Sequence, residues 1–192
     1  LPSNGGAARA RNAGIEQASY DWILTCDADD TSRPQRVAAL RRAAETQTDA
    51  KNTLFGSRFS RHPPDATERY AEWANTLTPD RLFLERFREC TLIQPTWFFH
   101  RDVWDKAGRY DADGGTCDDL RFFLRHVGRG GRLGALADEA GAHVAERALQ
   151  RRVVQRRARI LLEPGRCDLH LRFAPSRDPL RVASTGPPGI GV

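Results

Sequence analysis

Asp21-Trp22-Ile23-Leu24-Thr25-Cys26-Asp27-Ala28-Asp29-Asp30 is the stretch whose reading decides the fold. Residues 22–26 are mostly apolar and run straight into three carboxylates packed within four positions. A short apolar run bounded by polar turn residues suits a buried strand, although periodicity alone does not separate it from a helix segment. The acidic exit decides for a strand that ends at a site, because open α/β sheets bind ligands beyond the carboxyl ends of their strands. Carboxylates crowded there repel one another unless a positive charge sits between them. A divalent cation suits that position, since Mg²⁺ and Mn²⁺ take oxygen ligands and bridge protein carboxylates to phosphates. Part of the cluster has a simpler reading. Asp30, Thr31 and Ser32 precede Arg33-Pro34-Gln35, where a helix is expected, and such residues cap helices whose first turn accepts Pro. Capping does not need three acids, which leaves Asp27 and Asp29 for a metal or diphosphate site.

On the N-terminal side, residues 1–6 are loop-like, and Gly5 and Gly6 permit unusual backbone angles. Residues 7–18 are alanine-rich and predict a helix. A glycine-rich loop feeding a helix that begins with Arg9, Arg11 and Asn12 can cradle an anion, although a plain amphipathic helix with solvated arginines gives the same pattern.

On the C-terminal side, a helix is expected over 34–46, with Val37, Leu40, Arg41 and Ala44 as its inner stripe. A strand is expected over 52–59, and then a helix in which Tyr70, Trp73, Ala74 and Leu77 share a core face. Residues 79–88 predict a helix with Leu82, Phe83 and Phe87 inward. Residues 92–99 form the second strongly apolar run, where Pro95 implies an edge strand, a bulge or a strand start. A short helix over 102–107 is stopped by Gly108. An acidic glycine loop then leads to Asp118-Asp119 and a helix with Leu120, Phe123, Leu124 and Val127 along one stripe. Acids at a helix start are also favoured by the dipole, so capping is the simple alternative for that pair.

Composition bounds the class. A chain of 192 residues, 40% hydrophobic and 29% charged, is long enough for one soluble domain with a real core. No apolar run approaches the ~18 residues of a membrane-spanning helix. The four cysteines show no C-x-x-C pair, which argues against zinc or a disulfide framework and for a reducing, cytoplasmic setting. The chain opens on Leu1 and contains no Met, so it reads as N-terminally incomplete. Residues 1–133 carry a net charge of +1, whereas residues 134–192 carry +4 and a single aromatic, Phe173. The composition shift near Leu133 divides the chain into a catalytic part, 1–133, and a basic tail, 134–192, helical over 145–162 and then disordered.

Asn4-Gly5-Gly6, Ala10-Arg11-Asn12-Ala13-Gly14-Ile15, Asp27-Ala28-Asp29-Asp30, Gly108-Arg109-Tyr110-Asp111 and Asp118-Asp119-Leu120, in this order and spacing, resemble a family 2 glycosyltransferase. That resemblance implies an α/β, Rossmann-like GT-A fold and an inverting, Mn²⁺- or Mg²⁺-dependent transfer from a nucleotide sugar. It implies that Asp27 faces the donor's ribose or the metal, that Asp29 binds metal and diphosphate, and that Arg11 and Asn12 help hold the nucleotide. Asp119 becomes the base that deprotonates the acceptor hydroxyl, with Asp118 beside it, and His143 falls near the position of a metal-binding histidine. The family's first strand–helix–strand would precede Leu1, the acidic pair is usually Glu-Asp, and the neighbours of His143 do not match the pattern.

A narrower likeness lies in Arg61-x-Pro63-Pro64-x-x-Thr67-Glu68-Arg69-Tyr70-x-x-Trp73-x-x-x-Leu77-Thr78-Pro79 and Pro95-Thr96-Trp97-Phe98. It is similar to the branch called beta-1,3-N-acetylglucosaminyltransferase-like, or queuosine-tRNA galactosyltransferase. The donor it implies is UDP-galactose or UDP-N-acetylglucosamine, and the acceptor queuosine-modified tRNA. Trp97 then either stacks on a sugar or base or packs in the core, and Arg58, Arg61, Arg69 and Arg101 are candidates for phosphate contacts. Two other readings stand beside this one. The pI of about 9.4 and the Arg-rich tail suit a nucleic-acid-binding module, and a catalytically dead remnant would keep the motifs without the donor pocket.

Overall fold

The computed structural model describes residues 5–63, 65–113 and 117–136, together with the backbone of three short strands further on. The chain divides into two compact units, Leu1–Arg152 and Val153–Val192. Helix α1 (Gly6–Gln17) leads into β1 (Trp22–Leu24), and the acidic stretch follows. Then come β2 (Thr31–Ser32), α2 (Arg36–Thr46), β3 (Thr53–Gly56), β4 (Phe59–His62), α3 (Glu68–Asn75) and α4 (Pro79–Leu84). A 3₁₀ turn (Gln94–Thr96) enters β5 (Phe98–His100), followed by α5 (Arg101–Ala107), α6 (Asp118–Gly128) and β6 (Arg132–Ala135). Backbone strand β7 is Val144–Arg147; in the second unit β8 (Arg159–Ile160) pairs antiparallel with β9 (Leu171–Arg172).

The main sheet runs β1-β5-β3-β6, with β5 antiparallel to both neighbours and β3 parallel to β6. Strand side chains alternate between faces, and β5 shows what that produces. Phe98 joins Leu40 and Ala44 of α2, Phe55 and the half-buried Trp22, whose ring stacks on Phe98 at 4.9 Å. Its neighbour Phe99 turns to the other face and meets Phe122 of α6 at 6.0 Å. Helices therefore cover both faces of the sheet. Trp97 and Tyr110 extend the second face, with Tyr110 stacked on Phe122 at 4.7 Å.

Several side-chain expectations are corrected by this packing. Leu40 and Ala44 are buried as expected, but Val37 and Arg41 are exposed and α2 buries Arg36 and Ala39 in their place, because the helix leans on the sheet one position away from half of the expected stripe. Phe83 and Phe87 are each 47% exposed and only Leu82 points inward, since α4 is too short to wrap its full stripe around the core. In α6 the inner face is Phe122, Phe123, Leu124, His126 and Val127, with Leu120 only half-buried. The strand expected over 52–59 breaks after Gly56 and resumes in a second sheet, β2-β7-β4.

The boundary expected at Leu133 falls inside β6, whose four residues pair with Thr53–Gly56. The helix expected over 145–162 is a strand where it is described: β7 lies parallel to β4 and antiparallel to β2. Backbone donors and acceptors on exposed strand edges demand partners, and that demand outweighs a weak helical pattern. No helix among the described residues is long and apolar enough to cross a membrane.

Candidate active site

The sheet register builds one end of the site. β1 and β5 are antiparallel with Leu24 opposite Phe98, so the carboxyl end of β1 lies beside the turn that enters β5. Thr25 fixes this join: its N–H donates to the Trp97 carbonyl at 3.0 Å and its hydroxyl to the Gln94 carbonyl at 2.5 Å. Arg36, fully buried, ties the same corner from α2. Its guanidinium donates to the carbonyls of Thr25 (3.0 Å) and Pro95 (2.6 Å) and to the Ser32 hydroxyl (2.8 Å). Burial lowers its pKa, yet these acceptors hold the charged group in place. An arginine at the start of a helix gives no signal in the sequence, and the role of Arg36 was not legible there.

Arg11 brings the two acidic stretches together. From α1 it donates to Asp118 at 2.8 Å and to Asp27 at 3.4 Å. Burial works against the arginine's charge, but Asp118 first and Asp27 second more than offset it and raise the pKa. Residues separated by 107 positions in sequence, Arg11 and Asp118, thus meet beside the strand-end cluster. Asp29 is exposed in the same loop. Asp118 and Asp119 occupy the first turn of α6, and the residue before them, Cys117, adopts a left-handed conformation with φ 66°. For a non-glycine residue this costs about 1 kcal/mol or more and is characteristic of constrained functional turns. Asp119 accepts the Leu120 N–H at 2.8 Å. Burial raises its pKa, and the neighbouring Asp118 adds to the rise, against opposing pulls from Leu120 and Arg11.

Two residues expected at the ligand do other work. Asn12 engages both ends of its carboxamide within the protein. It donates to the Tyr110 carbonyl (2.8 Å) and accepts the Tyr110 N–H (3.0 Å) and the Trp104 indole N–H (3.0 Å). Gly108, with φ 85°, makes the left-handed turn that presents Tyr110 to it. Asn12 is a positioning residue that locks α1, and with it Arg11, onto the loop before α6. Replacing Asn12 with alanine is expected to destabilise the protein by about 2–3 kcal/mol, because buried partners lose their bonds; denaturant melts measure this. Trp97 is also corrected. It is 0% exposed and donates its indole N–H to the Leu92 carbonyl at 2.8 Å, so no ligand can stack on it. The apolar neighbours Tyr110 and Phe122 claim its faces.

Arg101 is likewise engaged, donating to the carbonyls of Ile15 (2.8 Å) and Ala18 (2.7 Å) at the end of α1. His143 lies outside the described residues. Among those described, no group of three or more His, Cys, Asp or Glu side chains converges as a metal cage. Asp27 and Asp29 alone suit an ion that takes one or two carboxylates and completes its shell with substrate phosphates and water.

A cavity of about 540 Å³ opens where these parts meet, walled by Arg11, Thr25, Cys26, Asp27 and Gln94 and by apolar residues of α1 and β1. Its size is that of a small-molecule or cofactor site. The cavity thus has a cation from the helix and a carboxylate from the strand end in its wall, and Arg11 links them to the acidic pair at the head of α6.

The architecture is α/β of the GT-A type. The crystal structure of S. aureus TarS 1-349 superposes with a TM-score of 0.59 at 15% identity, covering 76% of this chain and 42% of that one. The longer S. aureus TarS crystal structure gives 0.53 at 14% identity, covering 76% and 25%. The family model for Glycosyl transferase family 2 matches residues 1–108, and the chain belongs to that family. The uncharacterized glycosyltransferase YwdF of Bacillus subtilis (strain 168) is 30% identical over 129 residues, which are 65% of this chain and 46% of that protein. The chain thus spans about half the length of the curated relative it matches.

Proposed function

We propose that the complete protein is a glycosyltransferase that moves galactose or N-acetylglucosamine from its UDP donor to an acceptor hydroxyl with inversion. The observation that carries this reading is the Arg11 bridge: Arg11 and Asp27 both wall the cavity, and the same guanidinium pairs with Asp118 at the head of α6. In this reading Arg11 and Asp27 hold the nucleotide diphosphate, and Asp29 shares Mg²⁺ or Mn²⁺ with it. The ion, when bound, neutralises the leaving diphosphate. Asp119 takes the acceptor proton in its deprotonated form, with Asp118, held by Arg11, beside it as helper.

The acceptor in this reading is queuosine of a tRNA anticodon, supported by the likeness around residues 61–79 and 95–98. Arg101 is removed from the phosphate candidates, because it caps α1. Arg58, Arg61 and Arg69 remain, with Arg61 stacked over Phe59 at 5.1 Å and Tyr70 at 5.9 Å. The acceptor footprint is therefore a local patch, and its binding is expected to weaken with salt. Mass spectrometry of queuosine nucleosides from cells lacking the gene tests the assignment. Loss of galactosyl-queuosine is the expected result. Unchanged galactosyl-queuosine would overturn the acceptor, while UDP-sugar transfer by the purified complete protein would still be tested separately with other hydroxylated acceptors.

A further inference from the structure

Phe83, Leu84 and Phe87 form a cluster on the surface that the chemistry derived so far does not use. Phe83 and Phe87 are each 47% exposed and Leu84 72%, and all three lie on α4 and the turn that follows it. Single exposed apolar residues are ordinary, whereas a group of large ones marks a surface that meets something else. The neighbouring groups narrow what that is. Residues 81–88 carry three arginines, Arg81, Arg86 and Arg88, against one acid, Glu85. Arg86 lies over both exposed rings, 3.7 Å from the Phe83 centroid and 4.3 Å from that of Phe87, and Arg88 lies over Trp73 at 4.9 Å. Glu85 is turned to internal work: it accepts the Trp73 indole N–H at 2.6 Å and pairs with Arg81 and Arg88.

The patch is held firmly, and on the side of the proposed base. The Thr91 hydroxyl donates to the Leu82 carbonyl at 3.1 Å, and the Tyr70 hydroxyl of α3 donates to the Cys90 carbonyl at 3.1 Å. Burial raises the Cys90 thiol pKa and the charge of Asp119 adds to the rise, so the chain leaving the patch lies within electrostatic reach of Asp119. The donor cavity is walled by α1, β1 and Gln94 instead. A membrane-surface helix leaves its apolar face free to enter the acyl boundary, but here a guanidinium covers both rings. Aromatic rings with arginine planes laid beside them suit unstacked nucleobases, whose π faces stack on both and whose phosphates meet the charge.

We propose that Phe83, Leu84, Phe87 and Arg86 form a docking surface for single-stranded RNA, on which bases next to the modified nucleotide stack while its hydroxyl reaches Asp119. This rests on the tRNA acceptor reading above and adds to it the surface that holds the loop. Residues 79–88 are then more than the cover of a core: their outer side reads the unpaired state of the acceptor.

Fluorescence anisotropy with the complete protein tests it, using a fluorescein-labelled RNA stem–loop and a blunt RNA duplex of the same strand length. Wild type is expected to bind the stem–loop more tightly than the duplex. The double variant Phe83→Ala, Phe87→Ala should lose at least about fivefold in stem–loop affinity, the lower end of one base–aromatic stack, and should bind UDP within about twofold of wild type. Leu84→Asp, at the most exposed position, removes no packed ring and should weaken the stem–loop too by repelling phosphates, so it decides the matter if the double variant melts early. Unchanged stem–loop affinity in Leu84→Asp and in a folded double variant would overturn the proposal, as would equal binding of stem–loop and duplex by wild type. Vesicles of phosphatidylcholine and phosphatidylserine provide the contrasting probe: vesicle binding lost in the variants, with RNA binding intact, would assign the patch to a lipid surface and overturn it as well. A wild type that binds neither RNA overturns the tRNA reading and this inference with it, whereas a wild type that binds the stem–loop no better than its variants overturns this inference alone.

Discussion

Asp119→Asn in the complete protein is expected to reduce sugar transfer by about 10²–10⁴-fold, the usual contribution of a general base, while leaving UDP affinity near that of wild type. The separation follows from geometry, because Arg11 and Asp27 wall the cavity whereas Asp119 is withdrawn into the head of α6. A pH dependence accompanies it. Burial raises the Asp119 pKa above the ordinary carboxylate value, so the base protonates at a higher pH than an exposed aspartate would. Transfer should therefore decline as pH falls through that raised value.

The stability consequence has the opposite sense. Between the unfolded and the raised folded pKa the native state binds more protons, so stability decreases as pH rises through that window. Above it, the buried charge is a cost that asparagine removes. Asp119→Asn should thus be at least as stable as wild type at neutral pH. A variant that keeps substantial turnover would refute the assignment as base, and a markedly lower melting temperature would instead indicate a capping role.

Asp29→Asn is expected to abolish Mn²⁺-dependent binding of UDP, with a loss of at least about 100-fold, while the melting temperature stays within about a degree of wild type. Asp29 is exposed in the loop after β1, so removal of its charge touches no packing. The large effect comes from the ion: a cation held by only two carboxylates and a diphosphate loses much of its protein attachment when one is neutralised. Calorimetry of UDP with and without Mn²⁺ measures it. Equal affinity in both proteins would show that the strand-end cluster does not hold a metal.

The comparison of sequence with structure divides along a physical line. The strand at Trp22, the helices around Ala10, Leu40 and Phe123, and the acidic cluster at Asp27 were legible because they rest on local signals: apolar runs, helical spacing, and carboxylates too close to coexist without a cation. The family followed from five short motifs in register. What the local signals missed was which side chains face inward. Val37 and Phe87 stay largely exposed, while Arg36, the most polar residue of its helix turn, is fully buried because acceptors from Thr25, Ser32 and Pro95 converge on it. No periodicity encodes that.

Trp97 and Asn12 show the same limit at the site. As residue types both suit a ligand, and as a sequence their contexts suit it too. Only the fold decides that the indole bonds the Leu92 carbonyl and that the carboxamide is engaged by Tyr110 and Trp104. The tail shows it in the backbone, where β7 takes the place of a helical pattern because β2 and β4 offer it a ladder.

The sequence by itself determined the fold class, the family and the carboxylates around which the chemistry is proposed, because these depend on residue type and spacing along the chain. The tertiary structure alone decided that Arg11 joins Asp27 to Asp118 and that Gln94 walls the same cavity. Those relations depend on antiparallel pairing and helix packing between segments far apart along the chain, 107 positions for Arg11 and Asp118, and close contact between such segments exists only once the sheet has formed.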